Sequence, residues 1–115
     1  MSVVILHNPR CTKSRQTLQL LQDRGIEPEV IEYLKQPPSK TRLKQILKML
    51  DMKPRELMRR KEKEYKALGF DDDALTQEQL IDAMIETPKL IERPIVINGS
   101  RAAIGRPPEN VLEIL

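Results

Sequence analysis

One cysteine and its immediate neighbours are the residues of this chain whose types and spacing are best suited to chemistry. Cys11 is the only cysteine among 115 residues, and it lies in the segment 7–15, HNPRCTKSR. The apolar residues 3–6 precede this segment and predict a buried strand. Residues 17–21 follow it and predict a helix. The sequence therefore places Cys11 at a strand-to-helix turn, at or beside the helix N-terminus.

This placement favours a reactive thiol over an inert one. Free backbone N–H groups and the helix dipole at an N-terminus favour a thiolate and a bound oxyanion. His7 and Arg15 are expected to add positive potential on either side. We therefore predict that Cys11 is a nucleophile, the alternative being a structural buried thiol. Being alone, Cys11 cannot complete a dithiol reaction within its own chain.

The composition excludes several classes of protein. One cysteine allows neither an intrachain disulfide framework nor a thiolate cluster for zinc, so we expect no metal site and no bound cofactor. Aromatic residues make up 3% of the chain, too few for base-stacking platforms, and we expect no nucleic-acid partner. No apolar run is long enough to span a bilayer, and the N-terminus lacks signal-peptide features. We therefore expect a cytoplasmic protein. We also expect a monomer, although the sequence does not determine the oligomeric state.

Charge is distributed unevenly along the chain. Residues 35–66 contain 12 basic and 4 acidic side chains, whereas residues 71–92 contain one lysine and 7 acids. The simpler interpretation is a pair of solvated helical faces. The functional interpretation is a positive surface that faces an anionic substrate or an acidic partner.

The first part of the chain has the pattern of a strand, a helix and a second strand. Residues 3–7 predict a strand and residues 12–24 a helix, which Gly25 would end at its C′ position. Residues 29–33 alternate and predict the next strand. A strand–helix–strand unit of about 30 residues has parallel strands.

Residues 37–90 predict an all-helical insertion. Ser39 or Lys40 opens a helix with a regular apolar face. Further along the insertion, Thr76 and Gln79 have the spacing of a capping box at the start of another helix.

The sheet is predicted to resume at residues 95–97. Asn98-Gly99 is a strong hairpin signal, residues 102–104 predict an antiparallel return strand, and residues 111–115 a last helix. The order gives an α/β fold, a mixed four-stranded sheet flanked by helices. This is the thioredoxin-like layout with an inserted all-helical region, and we expect the whole chain to form a single domain.

Four motifs resemble those of the glutaredoxin-coupled arsenate reductases, in particular a short, chromosomally encoded subgroup. The resemblance covers essentially the whole chain. Thr12 and Lys13 depart from it, because a glycine and a small polar residue commonly follow the cysteine. The motifs, in chain order, are HNPxCxxSR at 7–15, LMR at 57–59, ERPIV at 92–96 and GRP at 105–107.

The resemblance implies how the segment around Cys11 works. Cys11 would attack arsenic(V), and His7 would help to hold it as a thiolate. Ser14 would form a hydrogen bond near the sulfur. The simpler interpretations are that His7 packs at the strand end and that Ser14 satisfies N–H groups of the first helical turn.

The resemblance also implies that three arginines bind the substrate oxyanion. These are Arg59, Arg93 and Arg106, and a guanidinium offers charge-assisted donors in a fixed fork. For any single arginine the alternative is a solvated surface charge. Arg60 adjoins Arg59, but the register against the preceding Leu-Met pair favours Arg59.

The proline after Arg93 is a further expectation from the resemblance. In thioredoxin-like folds the corresponding proline is cis and faces the catalytic cysteine. We therefore expect a cis Arg93–Pro94 bond, with Pro94 near the Cys11 sulfur. The commoner state of an X–Pro bond, trans, is the alternative.

Taken together, the expected function is the reduction of arsenate to arsenite, with glutathione as co-substrate and glutaredoxin as partner. Two other functions stay open. One is that of a related branch of the same fold, whose members are regulators that bind RNA polymerase and sense thiol oxidation. Those regulators use two cysteines, and Ser14 stands in this chain at the position of the second. The other is a different glutathione-dependent thiol reductase. A phosphatase-type Cys-x5-Arg loop is excluded, because position 17 is threonine.

Overall fold

A computed structural model describes residues 3–115. The elements follow the predicted order, with short 3₁₀ helices added in the second half. They are β1 (Val3–His7), α1 (Thr12–Asp23), β2 (Glu29–Glu32), α2 (Lys40–Leu50), α3 (Pro54–Leu57), α4 (Lys63–Ala67), α5 (Gln77–Glu86), a 3₁₀ helix (Pro88–Leu90), β3 (Ile95–Asn98), β4 (Arg101–Ile104) and a C-terminal 3₁₀ helix (Pro108–Ile114).

The four strands form one mixed sheet in the order β2-β1-β3-β4. Strands β1 and β2 are parallel, whereas β3 is antiparallel to both β1 and β4. The predicted α/β class and mixed four-stranded sheet are confirmed. The register pairs His7, the last residue of β1, with Glu32, the last residue of β2. The side chains that follow these two strands therefore start from the same edge of the sheet.

The chain divides into two compact units. One combines the described residues up to 36 with residues 93–115 and contains the whole sheet, and the other is the helical segment 37–92. The prediction of a single domain stays a prediction. Within the helical unit, Met58 and Ile91 form an isolated antiparallel bridge.

The sheet unit has a core shared by strands, helix α1 and the C-terminal 3₁₀ helix. Five side chains form it, each at most 7% exposed: Ile5, Leu21, Val96, Val111 and Ile114. Burial of large aliphatic side chains stabilises a fold by roughly 1.5–3 kcal/mol each. Because Ile5 and Leu21 lie on either side of the cysteine turn, this core fixes the strand and the helix between which the turn runs.

Helix ends follow the predicted local signals. The Ser39 hydroxyl accepts a hydrogen bond from the Arg42 amide at the start of α2. Thr76 and Gln79 form the predicted capping box, each side chain accepting from the other's amide at 3.1 and 2.8 Å. Gly25 follows α1 with a φ of +77°, the left-handed conformation that glycine adopts most readily.

The last helix differs from the prediction. It is a 3₁₀ helix that begins at Pro108, three residues before the predicted start. Proline fits the first helical position because an N–H group there would have no partner within the helix, so its absence costs no hydrogen bond. At the other end, the Asn98 side chain donates to the Ile114 carbonyl at 2.7 Å and ties the helix to the end of β3.

Among residues 3–115, no helix has both the length and the apolar character needed to cross a bilayer.

Candidate active site

Cys11 occupies the N-cap of helix α1. Its backbone is extended, with φ −93° and ψ 123°, and its carbonyl accepts the first helical hydrogen bond from the Arg15 amide at 3.0 Å. The Cys11 amide donates to the Asn8 carbonyl, also at 3.0 Å. The thiol is half-buried. The predicted strand-to-helix turn is therefore present, with the sulfur at the amino end of a 12-residue helix.

Side chains of the same segment hold the turn in shape. The Asn8 side-chain oxygen accepts from the Arg10 amide at 3.0 Å. The Arg15 guanidinium donates to the Pro9 carbonyl at 3.1 Å and to the Thr12 hydroxyl at 3.4 Å. Arg15 therefore stabilises the turn through two hydrogen bonds, whereas the sequence predicted only that it adds positive potential.

The surroundings of the Cys11 sulfur favour the thiolate. Burial raises the pKa of the Cys11 thiol, but the Ser14 amide, the Arg93 guanidinium and the Lys13 amide together hold that pKa below its usual value. The thiol makes no capping hydrogen bond of standard geometry, so these donors act mainly on the negative charge of the thiolate. A lowered thiol pKa is what a nucleophilic cysteine requires near neutral pH.

His7 is buried, and its surroundings favour the neutral ring. Burial lowers the pKa of His7, the Glu32 carboxylate opposes this shift, and the Arg15 guanidinium reinforces it. The lowered pKa disfavours the positive charge that we expected at His7, and the role of His7 beside Cys11 stays a prediction. A charged imidazolium is disfavoured because a buried ring loses hydration that the neighbouring carboxylate does not fully replace.

Ser14 links His7 to the turn. Its hydroxyl oxygen lies 2.6 Å from His7 Nδ1 and accepts from the Asn8 amide at 3.0 Å. The hydroxyl oxygen can accept two hydrogen bonds, so the tautomer of His7 sets which group donates in the bond between His7 and Ser14. The group of Ser14 that faces the Cys11 sulfur is its backbone amide. The hydroxyl is instead directed to the histidine.

Arg93 and Arg106 come together in the sheet unit. The Arg93 guanidinium lies near enough to the Cys11 side chain to lower the pKa of its thiol. The Arg106 guanidinium donates to the Arg93 carbonyl at 3.3 Å. One of the three predicted oxyanion ligands thus acts on the nucleophile, and a second is hydrogen-bonded to the backbone of the first. Their binding of an oxyanion stays a prediction.

The Arg93–Pro94 peptide bond is cis, as expected. The Arg106–Pro107 bond is also cis, which the sequence reasoning missed. The proximity of Pro94 to the Cys11 sulfur stays a prediction.

Gly105, which the sequence reasoning used only as part of a motif, allows a close approach beside these arginines. A Cβ at this position would overlap the Thr17 hydroxyl and lie 2.9 Å from Pro94 Cγ. The Gly105 amide donates to the Pro94 carbonyl at 2.9 Å. Only glycine allows helix α1, the Pro94 segment and the Arg106 loop to meet so closely. A glycine directly before a predicted ligand was the signal that could have indicated this.

Arg59 lies in the helical unit and is bound to two carboxylates. Its guanidinium donates to Glu92 at 2.7 Å and to Glu62 at 3.2 Å. The side chain of Arg59 is 20% exposed. The sequence reasoning missed both glutamates as its partners. Whether Arg59 binds an oxyanion stays a prediction.

Comparison with known proteins identifies the family. A model described as "ArsC family" matches residues 6–114. The chain belongs to the ArsC family. It is 52% identical to "Arsenate reductase" from Haemophilus influenzae, over 100% of both chains, and 55% identical to "Uncharacterized protein YfgD" from Escherichia coli K12, over 98% of this chain and 96% of that one.

Solved structures agree with this assignment to the ArsC family. "Arsenate reductase from Vibrio cholerae" matches 100% of this chain and 98% of its own with a TM-score of 0.97 and 53% identity. The family predicted from the four sequence motifs is confirmed, and so is the thioredoxin-like fold.

Proposed function

We propose that this ArsC-family chain reduces arsenate to arsenite with Cys11 as the nucleophile. The observation that carries the proposal is the half-buried Cys11 thiol at the start of α1, with its pKa lowered by backbone amides and by Arg93. The relatives from H. influenzae and V. cholerae carry the name arsenate reductase. Their full-length similarity to this chain supports the same reaction here.

In the first step the Cys11 thiolate attacks arsenic(V). An S–As bond forms and an arsenic-bound oxygen leaves as water after gaining protons. Arsenic stays pentavalent in this step. Arg93, whose guanidinium already lowers the pKa of Cys11, would stabilise the charge on the arsenate oxygens as the bond forms. Arg106, bonded to the Arg93 carbonyl, would add a second guanidinium to the same oxyanion.

In the second step an external thiol reduces the arsenic, and we propose glutathione. The glutathione sulfur forms a disulfide with Cys11 as the S–As bond breaks. Arsenic keeps the electron pair and leaves as arsenite, arsenic(III). A second cysteine to perform this step within the chain does not exist, because Cys11 is alone in the sequence. The two electrons therefore come from one Cys11 thiol and one glutathione thiol.

In the third step glutaredoxin would regenerate the enzyme. A glutaredoxin thiolate takes the glutathionyl group from the mixed disulfide, and Cys11 leaves as a thiolate. His7 and Ser14 would assist throughout by fixing the turn. The Ser14 hydroxyl bonded to neutral His7 holds the first turn of α1, whose amide faces the sulfur. The cytoplasmic location and the monomeric state stay predictions.

The decisive experiment is a steady-state assay with arsenate, glutathione and glutaredoxin. Wild-type protein should produce arsenite, and Cys11→Ser should reduce turnover to the background rate, since a hydroxyl is a far weaker nucleophile at neutral pH. Circular dichroism should show that the variant keeps its fold. Arsenite production by Cys11→Ser would contradict the proposal. Turnover of a glutathione mixed disulfide without arsenate turnover would favour a general thiol reductase instead.

A further inference from the structure

Arg59 lies in a short antiparallel pairing within the helical unit, and this pairing fixes one of its carboxylate partners. On one side of the isolated bridge, the Arg59 amide donates to the Leu90 carbonyl at 2.6 Å. On the other side, the Glu92 amide donates to the Leu57 carbonyl at 2.9 Å. Arg59 and Glu92 are therefore diagonal neighbours across the pairing, a spacing that long side chains can bridge.

The second carboxylate comes from the turn that follows Arg59. The Glu62 amide donates to the Arg59 carbonyl at 3.1 Å, and this turn brings the Glu62 carboxylate to 3.2 Å from Arg59 Nε. Arg59 Nη1 donates to the Glu92 carboxylate at 2.7 Å. The side chains of Arg59, Glu62 and Glu92 are 20%, 22% and 27% exposed, so water screens this carboxylate–arginine cluster only in part.

Both edges with which a guanidinium grips an oxyanion are engaged in this cluster. An arginine binds such an anion through two parallel N–H···O bonds, given either by Nε and one terminal nitrogen or by the two terminal nitrogens. Nε belongs to the first edge and is bonded to Glu62, whereas Nη1 belongs to the second edge and is bonded to Glu92. A bidentate contact with a further anion would therefore require one carboxylate to move away.

The charge of the cluster also opposes an incoming oxyanion. One guanidinium and two carboxylates together carry a net charge of −1, and arsenate is itself an anion at neutral pH. A site that binds only after an internal partner has left has an apparent affinity reduced by the fraction of molecules in the competent state. The two carboxylates thus lower the affinity of Arg59 for a tetrahedral oxyanion.

Resting on the proposed function, in which the substrate is an oxyanion, we propose that Glu62 and Glu92 compete with the substrate for Arg59. Glu92 is the stronger competitor, because its bond to the guanidinium is the shorter of the two. Its displacement opens the edge formed by the two terminal nitrogens, while Glu62 stays on Nε. The two carboxylates are therefore specificity-determining residues that hold the affinity for arsenate below the value that Arg59 alone would give.

The test measures the binding of inorganic phosphate, which has the shape and charge of arsenate but is not reduced by thiols. Isothermal titration calorimetry at neutral pH and constant ionic strength gives its Kd. Glu92→Gln removes the charge at nearly constant size and should bind phosphate about tenfold more tightly than wild type, equivalent to about 1.4 kcal/mol. Glu62→Gln should tighten binding by only about two- to threefold. The KM for arsenate should fall in parallel with the Kd for phosphate.

Glu64→Gln is the matched control. The Glu64 carboxylate is bonded to Lys89 at 2.7 Å and its side chain is 19% exposed, so the pair resembles that of Glu92 in bond length and burial. The variant loses the same charge without releasing Arg59, and its Kd for phosphate should equal that of wild type. A second control places Glu92→Gln in an Arg59→Met background, where it should no longer tighten binding. Circular dichroism should show that each variant is folded.

Each outcome decides the proposal. Tightening in Glu92→Gln that is absent from Glu64→Gln and lost without Arg59 supports it. Unchanged or weaker phosphate binding by Glu92→Gln would overturn it, since Glu92 would then only position the guanidinium. Equal tightening in Glu64→Gln, or tightening that persists in the Arg59→Met background, would overturn it too, because general charge repulsion would then be the cause.

Two further results keep the test decisive. If Arg59→Met does not fold, the comparison of Glu92→Gln with Glu64→Gln decides the proposal. Absence of arsenate turnover in the wild-type protein would contradict the proposed function but leave the phosphate result unaffected.

Discussion

Two arginine sites in this molecule use the same side chain in opposite surroundings. In the sheet unit the Arg93 guanidinium acts on the Cys11 side chain and lowers the pKa of its thiol. In the helical unit the Arg59 guanidinium is bonded to the carboxylates of Glu62 and Glu92. The two arginines were equivalent as predicted oxyanion ligands. In the structure their surroundings differ, because Arg59 already neutralises two carboxylates whereas Arg93 acts on a thiol.

This difference shows that the partner of an arginine determines whether its charge lowers the pKa of a neighbouring group or stabilises the local structure. A guanidinium beside a thiol stabilises the thiolate, so it favours formation of the negative charge. A guanidinium held between two carboxylates gives most of its field to them, and its contribution is to local stability. The two sites should therefore respond differently to the same substitutions.

The largest expected effect is that of Arg93→Ala on arsenate turnover. Removing one preorganised donor from an anionic transition state costs about 10²–10³ in rate, and we expect kcat/KM for arsenate to fall by that factor. The midpoint pH of Cys11 alkylation by iodoacetamide should rise in the variant, whereas in wild type it should lie below the ordinary thiol value of about 8.5.

Arg60→Ala serves as the control for Arg93→Ala, because Arg60 adjoins a predicted ligand and is exposed. Its kcat/KM and its alkylation midpoint should stay near those of wild type. If Arg93→Ala also stayed near wild type in both measurements, Arg93 would have no role in activating Cys11.

The next largest effect concerns the close packing at Gly105, beside Arg106 and the segment that contains Arg93 and Pro94. Gly105→Ala places a methyl group against Thr17 and Pro94. Overpacking of this kind costs about 1–3 kcal/mol, which urea unfolding should detect. Gly69→Ala is the contrasting variant, since its Cβ would meet nothing within 4 Å and only its φ of +79° disfavours alanine. A loss no larger at Gly105 than at Gly69 would contradict the close approach.

A smaller effect is expected for the Arg59 pair. A double-mutant cycle of Arg59→Met and Glu92→Gln should give a coupling free energy of about 1.5 kcal/mol in urea unfolding, typical of a hydrogen bond between charged groups. The two side chains are 20% and 27% exposed, so solvent screens the pair only in part. A coupling near zero would mean that Glu92 does not hold Arg59.

The smallest effect is a pH dependence due to His7. Its pKa is lowered in the folded protein, mainly by burial, so the unfolded chain binds the proton more tightly. The free energy of unfolding should therefore fall as the pH drops below about 6.5, the ordinary histidine value. In His7→Gln, urea unfolding between pH 7.5 and 5.5 should show a shallower loss. An equal slope in both proteins would show that His7 does not contribute.

Much of the fold and part of the candidate site could be predicted because their signals are local. The strand at residues 3–7, the N-cap position of Cys11 and the capping box at Thr76 each depend on residues close in sequence, whose periodicity and hydrogen-bonding groups act within a few residues. The prediction for the last helix was wrong in its helix type and its first residue. The helix begins at Pro108, and the Asn98 side chain holds its end, so its short apolar pattern alone does not set its limits.

The sequence by itself determined the single nucleophile, the turn that carries it and the need for a thiol from outside the chain. Only the tertiary structure decided the partners of the charged and polar groups. It placed Arg93 where it lowers the pKa of Cys11, and it bound Arg59 to Glu62 and Glu92. It also set the Ser14 hydroxyl 2.6 Å from His7 Nδ1. The physical reason is range: caps and turns form between neighbours along the chain, whereas a pKa or an ion pair depends on groups that only folding brings into contact.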